Sequence, residues 1–338
     1  MNGLLRIITV WIILLIILVV SFAAQQDAVD ILKKSYAAGG RNTFSSRLKT
    51  ITYQNTKPIS ADVNISCSGL QSRMEYLTGP CAKSVIIDDG KSITRLDPSS
   101  KTAYILSNSK PDTSLEPLLA NYQPIIIGSS SIDGRICYII NLRPKYKGNP
   151  SKKLWIDSKT YIPVRTERYN SDGSLTMSTE YTKVDFSAKP SPSLFTRPHG
   201  WKLIKLASNI NDLRMGNVRS ALGFMPVKSR YIPKGYSFDG YCVCEMCVKP
   251  RCVGLGYSNG LNTISIFQCK GNCACTGPGL GHDLNKVQNR SVHCRSGSFI
   301  LTETPQARVL RTQIDDFTIT IVGDISAVEL KKMASSLK

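Results

Sequence analysis

Residues Lys153 to Phe186, KLWIDSKTYIPVRTERYNSDGSLTMSTEYTKVDF, decide how this chain is read. Leu154 and Ile156 alternate with Trp155 and Asp157, Val164 opens a second β-type run, and Leu175, Met177 and Tyr181 share one parity. That two-residue period belongs to strands with one buried face. The runs are separated by Ser158-Lys159-Thr160 and by Asp172-Gly173, a dipeptide that supplies the positive φ angles of a tight hairpin. The stretch predicts a three-strand antiparallel meander, apolar on one face and carrying Lys153, Arg165, Glu167 and Lys183 on the other.

Working outward toward the N-terminus, similar runs recur at Ile51 and Tyr53, Val63 and Ile65, Met74 and Tyr76, Val85 to Ile87, Ile93 to Leu96, Tyr104 and Leu106, Ile125 to Ile127, and Ile136 to Leu142. Asp89-Gly90 and Asp133-Gly134 mark hairpins among them. Asp27 caps a short helix whose predicted stripe is Val29, Leu32 and Tyr36, stopped at Gly39-Gly40, and Leu115 to Leu119 suits a helical turn crossing the sheet. A sheet of about ten strands must curl or close to manage its edges.

The 338 residues, 42% of them hydrophobic, suffice for two cores. A formal charge of +19 calls for an anionic partner or simply keeps the chain soluble. Arg6, the apolar run Ile7 to Val20 and the small-residue pattern Ser21-Phe22-Ala23-Ala24 have the form of an export signal over residues 1–24, or of an uncleaved anchor. The expected location is therefore periplasmic or otherwise extracytoplasmic. An anionic membrane surface, an envelope polymer or an acidic protein then suits the positive charge better than nucleic acid does.

After Phe195 the composition changes. Arg197 to Lys205 reads as connector and Leu206 to Leu222 as a weak helical pattern. Beyond Pro226 and the Tyr231 to Tyr236 motif, strands are expected at 236–242, 252–258 and 262–269, with a hairpin at Asn259-Gly260. A final strand, Phe317 to Asp324, leads to a helix with Ser326 and Glu329 as a capping box and Leu330, Met333 and Leu337 on one face. The expected division is 25–197, a linker over 198–225, and 226–338.

The Leu-Trp-Ile-Asp strand, Pro-Val-Arg-Thr, the Asp-Gly hairpin and Val-Asp-Phe resemble the RseB/MucB family of envelope-stress regulators and the broader superfamily of the lipoprotein carrier LolA. Asp88-Asp89-Gly90-Lys91 with Asp97-Pro98 and Tyr104 is similar to the LolA pattern. Gly256 to Phe267 and Phe317 to Asp324 resemble the RseB/MucB C-terminal domain. The resemblance implies an α+β fold: a strongly curved, incompletely closed antiparallel β-barrel with plugging helices, then a smaller antiparallel sheet with a C-terminal helix. It also implies a concave face that receives acyl chains, with Met74, Tyr76, Tyr104, Leu106, Leu154, Ile156, Leu175 and Met177 as candidate wall residues. The implied function is a non-enzymatic sensor of lipid or lipoprotein that contacts the extracytoplasmic part of an anti-sigma factor. A lipid or lipoprotein carrier, or a stapled polymer-binding protein, are the alternatives. Lys145, Lys147, Lys152 and Lys153 form a basic loop suited to a headgroup or acidic peptide.

Cysteines depart from the family pattern. Cys242, Cys244, Cys247, Cys252, Cys269, Cys273, Cys275 and Cys294 fall into two clusters expected at one end of the second sheet. In an exported chain they suit disulfides; zinc on Cys244, Cys247, Cys273 and Cys275, with His282 or His293 as substitutes, is the other possibility. Cys67 and Cys81 flank one strand and form a candidate pair, leaving Cys137 buried or joined to another chain. With histidines only at 199, 282 and 293, no triad, carboxylate frame or phosphate loop stands out, and no enzyme activity is expected.

Overall fold

The computed structural model describes residues 27–54, 57–107, 114–209, 218–219, 223–244, 252–271, 289–304 and 307–338. The expected export signal, Cys247, Cys273, Cys275 and His282 lie outside these residues.

Helix α1 (27–38) opens the described chain. It buries Ala28, Leu32, Ser35 and Ala38, while Tyr36 is 45% exposed. The predicted stripe is thus rotated: small side chains let the helix approach the sheet closely, and bulky Tyr36 is turned out. Eleven strands follow: β1 (Thr43–Gln54), β2 (Lys57–Ser68), β3 (Gln71–Tyr76), β4 (Val85–Asp88), β5 (Ser92–Asp97), β6 (Thr102–Ser107), β7 (Tyr122–Ile132), β8 (Arg135–Pro144), β9 (Ser151–Asp157), β10 (Pro163–Tyr169) and β11 (Leu175–Asp185). Helix α2 (Glu116–Asn121) precedes β7.

The three-strand meander is present as β9, β10 and β11. Asp157, only 2% exposed, builds its first turn by accepting the Lys159 and Thr160 amides at 3.0 and 2.7 Å. Burial alone would raise the pKa of that carboxyl, but the Thr160 and Lys159 bonds and Arg135 hold it below the usual range. Gly173 takes φ +89° in the second turn.

All eleven strands pair antiparallel in the order β7-β8-β9-β10-β11-β1-β2-β3-β4-β5-β6. Among the described residues β7 and β6 do not meet, so the sheet is open. Strand β12 (Lys202–Asn209) then runs parallel to β6. This makes the sheet mixed, not wholly antiparallel. It also corrects the expected connector and the expected helix start, since Leu206 to Asn209 is strand; pairing satisfies the otherwise bare β6 edge.

The second sheet runs β13 (Ser237–Cys244), β14 (Cys252–Ser258), β15 (Thr263–Lys270), β19 (Phe317–Gly323), β18 (Arg308–Ile314), β17 (Gly297–Glu303) and β16 (Asn289–Cys294). Helix α3 (Ala327–Ser335) packs Leu330 and Met333 into its core against Leu255, Ile266 and Ile321. Ser326 Oγ accepts the Glu329 amide at 3.3 Å, but the Glu329 carboxylate turns to Lys332 and Tyr231 and does not close the capping box. Ala207 pairs with both Leu106 and Cys244, so β12 joins the two sheets into one ladder.

Candidate functional site

Directly opposed residues of neighbouring strands lie on one face of a sheet. Ile140 opposes Leu154 and Tyr138 opposes Ile156. Arg168 opposes Lys152 and Met177, and Met177 opposes Thr52. Val63 opposes Tyr76, Ile65 opposes Met74, Met74 opposes Ile86, Ile86 opposes Arg95, and Arg95 opposes Tyr104. Met74, Tyr76, Tyr104, Leu154, Ile156 and Met177 therefore share a face. Leu106 follows Tyr104 by two residues in β6; its side chain lies outside the described set. Leu175 precedes Met177 by two and pairs with Tyr169 beyond a register shift.

That face has two parts. Over β8 and β9, Leu32 of α1 and Leu115 and Leu118 beside and within α2 cover Ile140, Leu142, Leu154 and Ile156, and this part is closed core. Over β3, β6 and β11, Met74, Tyr76, Tyr104 and Met177 are only half-buried. Met74 packs beside Phe44, Ile65, Ile162 and Tyr181. Arg95, exposed and stacked 4.7 Å above the Tyr104 ring, sets a cation beside the half-buried part. Sequence reasoning missed Arg95, although it shares the parity of Ile93.

The four loop lysines are not gathered into one patch. Lys145 is tied to α2, its Nζ donating to Leu119 O at 2.7 Å, and Lys147 is exposed. Alternation along β9 sends the next two to opposite faces. Lys152 points to the helix-covered face, where burial first and Arg168 second depress its pKa. Lys153 lies 4.9 Å from the Tyr169 ring on the other face, beside Arg165 stacked on Trp155.

Cys252 and Cys269 are direct cross-strand partners on β14 and β15 and form a disulfide. Cys244 opposes Cys252 in the same row, with Cys242 two residues earlier on β13. Cys294, half-buried at the end of β16, is a free thiol, and His293 beside it is exposed. Among the described residues no group of three metal-ligating side chains occurs. Cys67 and Cys81 are both free, which corrects the expected pair. Cys67 faces Ser72 near the start of β3, whereas Cys81 follows the end of that strand. At about 3.3 Å per residue they are too far apart to bond. Cys137 is fully buried, and burial raises its thiol pKa to about 11.

A polar junction links the helix-covered face to the second sheet. Tyr122, fully buried in the same cluster as Leu154 and Ile156, accepts hydrogen bonds from Asn259 Nδ2 at 3.0 Å and Asn262 Nδ2 at 3.3 Å. Asn121 Nδ2 donates to Asn259 O at 3.1 Å. Gly260, at φ +84°, lies so close to α2 that an added Cβ would stand 2.3 Å from Leu118 N. Leu261 packs against the Leu154 cluster itself. Arg168 reaches Asn262 Oδ1 at 3.4 Å and Asp324 at 3.9 Å. Burial raises the Asp324 pKa to about 6, opposed by Arg168 and Arg308.

Comparison with known proteins now bears on the whole arrangement. The MucA/MucB complex of Pseudomonas aeruginosa superposes with TM-score 0.61 at 18% identity, covering 92% of this chain and 98% of that one. The chain shares the MucB fold. MucB in complex with the periplasmic part of MucA gives 0.59 at 17% identity, and MucB by itself 0.55 at 16%, each over 92% of this chain and 98% of the other. A family model described as an uncharacterized protein matches residues 91–193. The uncharacterized protein MJ0687 of Methanocaldococcus jannaschii is 21% identical over 228 residues, 66% of this chain and 64% of that protein. The chain thus matches less than two thirds of that relative's length.

Proposed function

We propose that this chain is a non-enzymatic extracytoplasmic sensor that takes up an acyl chain of a lipid or lipoprotein on the shared face of Met74, Tyr76, Tyr104 and Met177. The observation that carries the proposal is the two-part face: closed core under α1 and α2, half-buried apolar surface beside it, and a cationic Arg95 at the rim. Each methylene buried there contributes about 0.8 kcal/mol. Association itself costs about 4–15 kcal/mol, so chains of about ten carbons or more are needed for useful affinity.

The response runs through the junction. A chain wedged beside α2 disturbs the Leu118 and Tyr122 packing on which the Asn259-Gly260 hairpin sits, and so favours one arrangement of the two sheets over another. In two of the matched structures MucB is bound to MucA. By analogy, the partner here is the extracytoplasmic segment of an anti-sigma factor, shielded until ligand arrives.

The test is Met177→Trp, which enlarges a half-buried side chain of that face. Loss of binding to a fluorescent fatty-acyl probe with unchanged circular dichroism supports the proposal. Unaltered binding sinks it. Crosslinked pull-down separates the sensor from a plain carrier: recovery of a membrane-spanning anti-sigma factor supports the sensor, and recovery of lipoproteins alone supports the carrier.

A further inference from the structure

The opposite face of the first sheet carries a feature that the acyl-binding proposal does not use. Between β11 and β1, Asp185 pairs with Ser45 and Thr182 with Arg47, so two residues of β11 stand against one of β1. This is a β-bulge, and its extra residue Lys183 has φ +54°. The left-handed position of such a bulge ordinarily belongs to glycine, because a side chain there costs about 1 kcal/mol. Here a lysine fills it, and its amide is captured by Asp133 Oδ2 at 2.9 Å. Lys83 and Lys101 take the same left-handed region in turns; Lys183 differs in doing so inside a strand, beside a cleft.

That lysine lines a cleft of about 550 Å³, the size that takes a small ligand. Its floor is made of short polar side chains, Ser45, Ser66 and Asn64, which oppose one another or adjoining positions on β1 and β2. Long side chains rise around them. Arg73 is fixed by Glu75 at 2.6 Å and by Leu194 O at 3.1 Å, so that Leu194 and the 3-10 turn Pro192–Phe195 close one end. Asp185 is occupied with the Ser187 amide and hydroxyl at 2.8 and 2.6 Å. Both carboxylates are thus engaged, whereas Arg47 and Lys183 make no ion pair among the described residues. A trough of hydroxyl and amide groups, with Ile65 and Leu194 also in its lining and two uncommitted cations at its rim, matches a ligand rich in hydroxyls that also carries negative charge.

We propose that this cleft binds a short acidic oligosaccharide, with Arg47 and Lys183 on its carboxylate or phosphate and Ser45, Asn64 and Ser66 on its hydroxyls. Because the face points away from Met74 and Tyr104, the site is independent of the acyl-binding proposal.

Calorimetric titration of the intact chain with trigalacturonic acid, maltotriose and inorganic phosphate tests it. Saturable binding of trigalacturonate is expected, at least tenfold weaker in Arg47→Ala and in Lys183→Gly, as follows from losing a charge-assisted hydrogen bond. Lys183→Gly should keep or raise Tm, since glycine relaxes the bulge. Acyl-probe binding should be unchanged in both variants. No saturable binding, unchanged affinity in both variants, or phosphate and maltotriose binding as well as trigalacturonate would each overturn the assignment.

Discussion

Asn259 holds two structures at once: its carboxamide oxygen accepts the Leu261 and Asn262 amides at 3.0 and 2.8 Å, while its Nδ2 donates to the Tyr122 hydroxyl at 3.0 Å. The first set closes a hairpin of the second sheet. The last fastens that hairpin to the buried cluster of the first.

Tyr122→Phe keeps the ring in its cluster and removes the acceptor shared by Asn259 and Asn262. Leaving the buried Asn259 amide and the half-buried Asn262 amide short of a partner should cost about 1–3 kcal/mol. Combined with Asn259→Ala, the loss in urea denaturation should be less than the sum of the single losses, because both remove the same bond. Strict additivity would mean that the bond is not made in solution.

Gly260→Ala adds both a strained φ and a collision with the α2 backbone. A destabilisation above about 1 kcal/mol is expected. Because the collision lies between the two sheets, the radius of gyration from small-angle scattering should rise as well. A change in stability with no change in shape would assign the cost to the turn alone.

Asp324 has a pKa of about 6 in the folded chain, against an ordinary 3.8. Burial penalises its charged form, so its contribution favours the folded state at low pH and is lost as pH rises through 6. The rise of about two units corresponds to roughly 3 kcal/mol. Asp324→Asn should therefore stabilise the chain at pH 7.5 and do little at about pH 3, below both pKa values. Equal gains at both pH values in thermal melts would contradict this.

The Cys252–Cys269 bond closes a loop with a sequence separation of 17. Replacing both cysteines by serine should cost roughly 3 kcal/mol. Dithiothreitol should lower the Tm of the wild type toward that of the variant, and by more than it lowers the variant's own Tm.

The strands were legible because alternation is strict where one face is buried, as in Leu154 and Ile156 or Val63 and Ile65. Turn chemistry was equally plain at Asp172-Gly173 and Asn259-Gly260. The face of α1 was not, because Ala28, Ser35 and Ala38 are buried for being small, and hydropathy favours Tyr36 instead. Nor was β12: KLIKLASN has no alternation, and it becomes a strand only because β6 offers an edge. Lys183 looked like one more outward charge, since a bulge depends on the partner strand and leaves no mark in local sequence. The junction escaped for the same reason. Tyr122 and Asn259 lie 137 residues apart, and each satisfies a local rule without the other.

Because β12 completes β6 before handing on to β13, a chain cut soon after the turn at Phe195 would lose the strand that guards its own last edge. The shortened fragment would present a bare row of backbone donors and acceptors along Thr102–Ser107. Such fragments tend to recruit a neighbour's strand, giving swapped dimers or insoluble aggregates. Fragments meant to isolate the first sheet should therefore extend through Asn209.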